Sequence, residues 1–227
     1  MNDITLSNFS VILIKQKKTN FAFQNPFFHY SKLNYFMPHI AIISSSIRPD
    51  RKSHRVALYF EKYLADNKLA TTEIIDLREY NFPIFDETLK VQKDPEAQTL
   101  EYAKKIDSAH GIIIVTPEYN GGFPASLKNA VDVLYDEWRH KPLGIVTVSS
   151  GSFAGNQGLV SLQFTLWKMK AWTLTEMFSV PNVGDTYSEE GIPKDKVATD
   201  KLAQVFVKEL MWCVKADTSD IQDKIIT

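Results

Sequence analysis

A chain of 227 residues, 44% hydrophobic and 23% charged, has the make-up of an ordinary soluble globular protein: one generous domain, or one domain with appendages. A formal net charge of −1 gives no sign of a nucleic-acid or acidic-membrane binder. A single cysteine, Cys213, excludes an internal disulfide framework and a cysteine metal cluster, and it points to a reducing compartment, the cytoplasm.

Residues 1–36 differ in kind from the rest. They lack Gly and Arg, carry one acidic residue (Asp3), and are crowded with Asn, Phe, Lys, Ile and Tyr. The run Ser10-Val11-Ile12-Leu13-Ile14 has its lysines on the wrong side for a secretory signal. Two readings stand: translated upstream DNA with the start at Met37, or an arm that packs on a partner subunit. The predicted organisation is therefore an extension over 1–36, a domain over 37–215 and a tail over 216–227.

From Met37 the elements alternate. Residues 39–43 form an apolar strand, and Val56, Phe60, Tyr63 and Leu64 predict a helix over 53–67. A second strand over 72–77 follows, then a loop to Lys93. Asp94, Pro95 and Glu96 read as a cap, a first-turn proline and a first-turn acid opening a helix to 109. Gly111-Ile112-Ile113-Ile114-Val115 reads as a buried parallel strand, and a helix is expected over about 124–135. A strand over 143–148, a Ser/Gly-rich loop opening a helix to 170, a fifth strand over 172–177 and a closing helix over 194–213 complete the chain. No apolar run approaches the length needed to span a bilayer. Right-handed crossovers then require a doubly wound five-stranded parallel sheet, flavodoxin-like in its order 2-1-3-4-5, with helices on both faces. Its ligand belongs at the switch point beside strands one and three.

Two loops follow those strands. The first, Ser44-Ser45-Ser46-Ile47-Arg48-Pro49-Asp50-Arg51-Lys52-Ser53-His54-Arg55, places hydroxyls and N–H groups at a helix N-terminus, where an anion binds. Arg48 can add a charge-assisted bond, and Ser53 reads as an anion contact, a plain helix cap, or both. Arg51, Lys52 and Arg55 are expected to be solvated. The second loop, Pro117-Glu118-Tyr119-Asn120-Gly121-Gly122, offers backbone polar groups, an amide and a ring, which suit a flat, heteroatom-rich ligand better than a metal. A third, Ser150-Gly151-Ser152-Phe153-Ala154-Gly155, follows strand four.

The second loop, with Pro124, Leu127, Lys128, Asn129 and Asp132, resembles the flavin-ring loop of the NADPH-dependent FMN reductases, a flavodoxin-like family with quinone, azo and chromate reductases. The resemblance covers about Met37 to Cys213. In the first loop Ser46, Arg48 and Ser53 match the family's phosphate motif, whereas Ser45 stands where glycine is usual, so a positive φ is not required there. At His54 the resemblance implies a backbone N–H, not imidazole chemistry. Pro117, Glu118, Tyr119 and Asn120 would meet the flavin ring, Glu118 with its side chain turned outward, and Ser150 and Gly151 would meet the ring edge.

The resemblance implies an FMN-dependent NAD(P)H oxidoreductase. Hydride would pass from NADPH or NADH to flavin N5, and electrons then to a quinone, azo compound, free flavin or metal oxyanion, with no catalytic side chain. A flavodoxin-like electron carrier without a nicotinamide site and a flavin-free scaffold stand as alternatives. The histidines (His29, His39, His54, His110, His140) form no metal spacing, and there is no Gly-x-Ser-x-Gly elbow or Walker loop. Small-molecule acceptors are the expected partners, with no nucleic acid and no membrane. The four tryptophans, Trp138, Trp167, Trp172 and Trp212, are expected to pack or to form the interface of a homodimer or homotetramer.

Overall fold

The computed structural model describes residues 36–80 and 82–217. The expectations for the extension before Phe36 and for the tail after Asp217 lie outside the described residues. Six strands and their helices follow in order: β1 (His39–Ser44), α1 (Ser53–Asp66), β2 (Thr71–Asp76), α2 (Ala97–Ser108), β3 (Gly111–Pro117), α3 (Ala125–Asp132), a 3₁₀ turn (Asp136–Trp138), β4 (Pro142–Val148), α4 (Asn156–Lys168), β5 (Trp172–Thr173), β6 (Phe178–Val180), the single turn α5 (Val183–Thr186) and α6 (Lys196–Asp217).

All strand pairs are parallel, in the order β2-β1-β3-β4-β5, with β6 also pairing β4. This is the flavodoxin-like order that the alternating pattern predicts. Successive residues of a strand face opposite sides, so each central strand feeds two cores. Ile40, Ile42, Ile113, Val115, Val146 and Val148 pack with Val56 and Phe60 of α1 and Phe206 and Leu210 of α6. Ala41, Ile43, Ile112, Ile114, Leu143 and Ile145 pack with Ile106 of α2, Leu127 of α3 and Leu162 of α4. Burial on both faces is why these strands read as near-continuous apolar runs.

Several boundaries differ from the sequence reading. The expected fifth strand is two short ones, because Thr175, Glu176 and Met177 are exposed in succession and a pleated strand cannot place three neighbours on one side. Trp172 and Thr173 pair with Pro142 and Leu143, and Phe178 to Val180 rejoin Val146 to Val148. Helix α2 starts at Ala97, because Glu96 is extended at ψ 145° and its carbonyl accepts the N–H groups of Thr99 and Leu100. Asp94 and Pro95 lie before it. At the other end of α2, the Lys141 ammonium donates to the carbonyls of Asp107 (2.9 Å) and Ala109 (2.8 Å).

Candidate active site

Three loops converge at the C-terminal ends of β1, β3 and β4, where an open parallel sheet binds its ligand. In the first, Ser45 is fully buried, its N–H donates to the Val115 carbonyl (3.1 Å), and its own carbonyl accepts the Ser126 hydroxyl (2.7 Å). Its φ is not positive, so a side chain here costs no strain. Ser46, also buried, shares a 2.6 Å hydrogen bond with the Tyr119 hydroxyl, which ties the first loop to the second.

Arg51 is not the solvated cation expected of it. Its guanidinium makes a bidentate pair with Asp76 at the end of β2, both side chains about nine-tenths buried, and donates to the Ser46 carbonyl at 2.9 Å. This clamp fixes the loop's curvature. Burial alone would raise the Asp76 pKa, but hydrogen bonds from Arg51 and the Arg78 N–H, with the charges of Arg51 and His54, outweigh it and hold the carboxyl below its usual range. The His54 ring meets the Ser44 hydroxyl at 3.0 Å, and burial, aided by Arg51, pushes its pKa below 6.5, so it is neutral at pH 7.

Ser53 decides between its two readings. Lys52 occupies the cap position of α1, and its side chain makes no capping hydrogen bond. The Ser53 hydroxyl is buried without a hydrogen-bond partner among the described residues, and it lines the cavity between the loops. A buried donor left unpaired costs about 1–3 kcal/mol, which a bound anion at the helix N-terminus would recover.

The second loop is a two-residue β-hairpin. Tyr119 and Gly122 exchange N–H···O=C bonds of 2.8 and 3.1 Å, and Asn120 (φ 52°) and Gly121 (φ 80°) take the left-handed conformations of a type I′ turn. The Asn-Gly dipeptide is itself the sequence signal for that turn. It leaves the N–H groups of Asn120 and Gly121 without backbone partners among the described residues. Glu118 does not turn outward as expected: its carboxylate accepts the N–H groups of Gln157 (3.0 Å) and Gly158 (3.3 Å) in the first turn of α4. A carboxylate suits that helix end, and the contact joins the second loop to the third.

In the third loop Gly155, at φ 77°, lets α4 start directly against Thr147 and Val148 of β4, within 3.2–3.4 Å of where a side chain would stand. Gly151 instead has open space around it and lines the cavity. The two glycines thus serve chain reversal and access respectively.

Together the loops enclose a cavity of about 450 Å³, a size suited to a small-molecule ligand. It brings together Ser46, Arg48, Ser53, Pro117, Glu118, Tyr119, Ser150 and Gly151 of the expected residues, with Arg48 over the Tyr119 ring at 5.7 Å. The Asn120 side chain is not part of its wall, and the His54 ring faces a neighbouring cleft. Arg51, Lys52, Phe153 and Val183 line it without having been singled out as contacts. One end is built of hydroxyls, a guanidinium and a helix N-terminus, the other of a hairpin and an open serine-glycine loop. Residues 38–185 match the family of NADPH-dependent FMN reductases. The chain belongs to that family.

Over 145 residues it is 32% identical to an NAD(P)H-dependent FMN reductase of Saccharomyces cerevisiae, a match that covers 58% of this chain and 74% of the yeast protein. A quinone reductase of Pseudomonas putida is 29% identical over 190 residues, covering 78% of this chain and 94% of the relative. Among solved structures, a flavoenzyme NAD(P)H:acceptor oxidoreductase of Paracoccus denitrificans superposes with a TM-score of 0.66 at 19% identity, covering 79% of this chain and 98% of that one. This last likeness shows the shared fold. The donor set fits FMN: the unpaired Ser53 hydroxyl stands where an anion would complete it, and the hairpin presents unpaired N–H groups. Among the described residues no group of three His, Cys, Asp or Glu could hold a metal, and no helix is long and apolar enough to cross a membrane.

Proposed function

We propose that the protein is an FMN-dependent NAD(P)H oxidoreductase that delivers electrons to a small acceptor: a quinone, azo compound, free flavin or metal oxyanion. The observation that carries this reading is the three-loop cavity, with an orphaned, buried Ser53 hydroxyl at its anion end and unpaired hairpin N–H groups beyond it. FMN supplies the capacity to take a hydride from a nicotinamide and release electrons to a second substrate. The chain's own residues hold and orient it.

Ser46, Arg48 and Ser53, with first-turn N–H groups of α1 that include that of His54, grip the phosphate. Pro117, Glu118, Tyr119 and Asn120 carry the hairpin whose free N–H groups would hold the ring, and Ser150 and Gly151 would stand at its other edge. Arg51 and Glu118 act indirectly: the first fixes the phosphate loop through Asp76, the second fixes the hairpin to α4. No side-chain acid or base is needed at the ring. Val160, Phe164 and Trp167 form an exposed apolar stripe on one face of α4, with the Phe164 and Trp167 rings 5.8 Å apart, and this stripe supports a homodimer. The lone thiol, Cys213, is buried in α6, which suits a reducing cytoplasm.

Steady-state kinetics test the reading. NADPH oxidation with a benzoquinone acceptor should depend on added FMN and give parallel double-reciprocal lines, because both substrates use one face in turn. Intersecting lines, or activity indifferent to FMN, would count against it.

A further inference from the structure

Beside the flavin cavity, and sharing Asp50, Arg51 and Lys52 with it, lies a second cleft of about 460 Å³. Its wall is ionic almost throughout, lined by Arg51, Lys52, Arg55 and Arg78 together with Asp50 and Glu189, and the Lys52 ammonium lies against Gly184 of α5. Two of the four cations are already engaged. Arg51 is held by Asp76, and Arg55 donates to the Tyr187 carbonyl at 2.9 Å. Arg55 also stands 3.5 Å from Glu189, but that carboxylate is 85% exposed and the pair is weak in water.

Lys52 and Arg78 have no ion-pair partner among the described residues. They come from different segments, one just before α1 and one just after β2, and the sheet order brings them to the same cleft. The Arg78 N–H is fixed by Asp76 at 3.0 Å, so its backbone is anchored where the residue lines the cleft. A chain with a net charge of −1 thus gathers four cations and two carboxylates in one cleft next to the anion end of its main cavity, and Asp76 neutralises only Arg51.

We propose that this cleft receives the 2′-phosphate of NADPH, and that Arg78 and Lys52 set the preference for NADPH over NADH. The inference rests on the reading of the neighbouring cavity as the flavin site. A dinucleotide with its nicotinamide at the ring end extends its adenosine half past the anion end, and the shared wall at Asp50, Arg51 and Lys52 gives it a continuous path. A phosphate monoester is a compact dianion. A guanidinium fork binds it with two parallel bonds, and the lysine adds a point charge. NADH offers only a ribose hydroxyl at that position and gains nothing from either cation.

The test measures binding first and turnover second. Calorimetry on the FMN-loaded protein compares adenosine 2′,5′-bisphosphate with adenosine 5′-monophosphate, and inorganic phosphate serves as a third probe. The bisphosphate should bind about tenfold tighter than the monophosphate, and Arg78→Gln and Lys52→Gln should each erase most of that margin. In Arg78→Gln the ratio of kcat/KM for NADPH to that for NADH should fall about tenfold, through KM for NADPH, with NADH as the internal reference. Equal binding of the two adenosine nucleotides by the unaltered protein, or an unchanged ratio in Arg78→Gln, overturns the proposal. So does a loss of FMN affinity in Arg78→Gln, which would assign that cation to the flavin's phosphate, or binding of inorganic phosphate as tight as that of the bisphosphate. If neither nicotinamide nucleotide reduces the flavin, the proposed function fails instead, and the calorimetric arm still decides the cleft.

Discussion

Replacing Ser53 by Ala should have effects of opposite sign on the empty and the loaded protein. In the empty protein the Ser53 hydroxyl is buried with no partner, so its removal relieves an unpaired polar group worth about 1–3 kcal/mol. The melting temperature should rise by about 2–4 °C per kcal/mol in a domain of this size. In the loaded protein the proposed site would have the same hydroxyl donate to the phosphate, and its loss should cost about 1.5–3 kcal/mol, a roughly 10- to 100-fold weaker FMN Kd. Ser45→Ala is the internal control. That hydroxyl is equally buried and unpaired but does not line the cavity, so its removal should stabilise the protein and leave the FMN Kd unchanged. Thermal melts with and without FMN and a fluorescence titration of the flavin read both quantities. A lower melting temperature for empty Ser53→Ala with an unaltered Kd would make Ser53 a helix cap and refute the argument.

Gly121→Val should lower both FMN affinity and quinone-coupled turnover, since φ 80° is strained for a β-branched residue and the type I′ turn would be lost; full activity would show that the hairpin is not the ring's support. Glu118→Ala should cost about 1 kcal/mol of stability through the freed first turn of α4, with a smaller effect on FMN affinity, and an unchanged melting temperature would remove the carboxylate from that role. Acidification should destabilise the protein in two stages. His54 titrates below 6.5 when folded, so its contribution is present above pH 6.5 and is lost as pH falls through the folded value; that of Asp76 is present above 3.8 and is lost as pH falls further. Urea midpoints between pH 8 and 3 check the order, and His54→Gln should abolish the upper stage. For the proposed homodimer, Phe164→Asp on the α4 stripe should shift the protein toward monomer in analytical ultracentrifugation, and an unaltered distribution would count against the stripe as a dimer interface.

Much of the fold was legible because its strands are buried on both faces and therefore written as apolar runs. The sheet order followed from five such runs alternating with helical periodicity, and the ligand end followed from the order. The split of the last strand was not legible, since Trp172 to Met177 has strand composition and only packing shows where Thr175 to Met177 leave β4. In the site, Ser46, Arg48 and Ser53 could be placed by motif, but the roles of Arg51 and Glu118 depend on partners distant in sequence. Asp76 lies 25 residues from Arg51, and Gln157 lies 39 from Glu118. Local composition carries no trace of such pairs. The hairpin was different: Asn120-Gly121 is a turn signal in itself, readable without any distant partner.

The most direct test of the account is an anaerobic titration of the FMN-loaded protein with NADPH, followed by its visible spectrum, with a quinone added at the end. The account predicts that FMN is taken up tightly, that its visible absorbance bleaches in proportion to the NADPH added, and that the quinone restores it. Bound flavin that NADPH and NADH both leave coloured would mark an electron carrier, and failure to take up FMN at all would contradict the reading of the cavity itself.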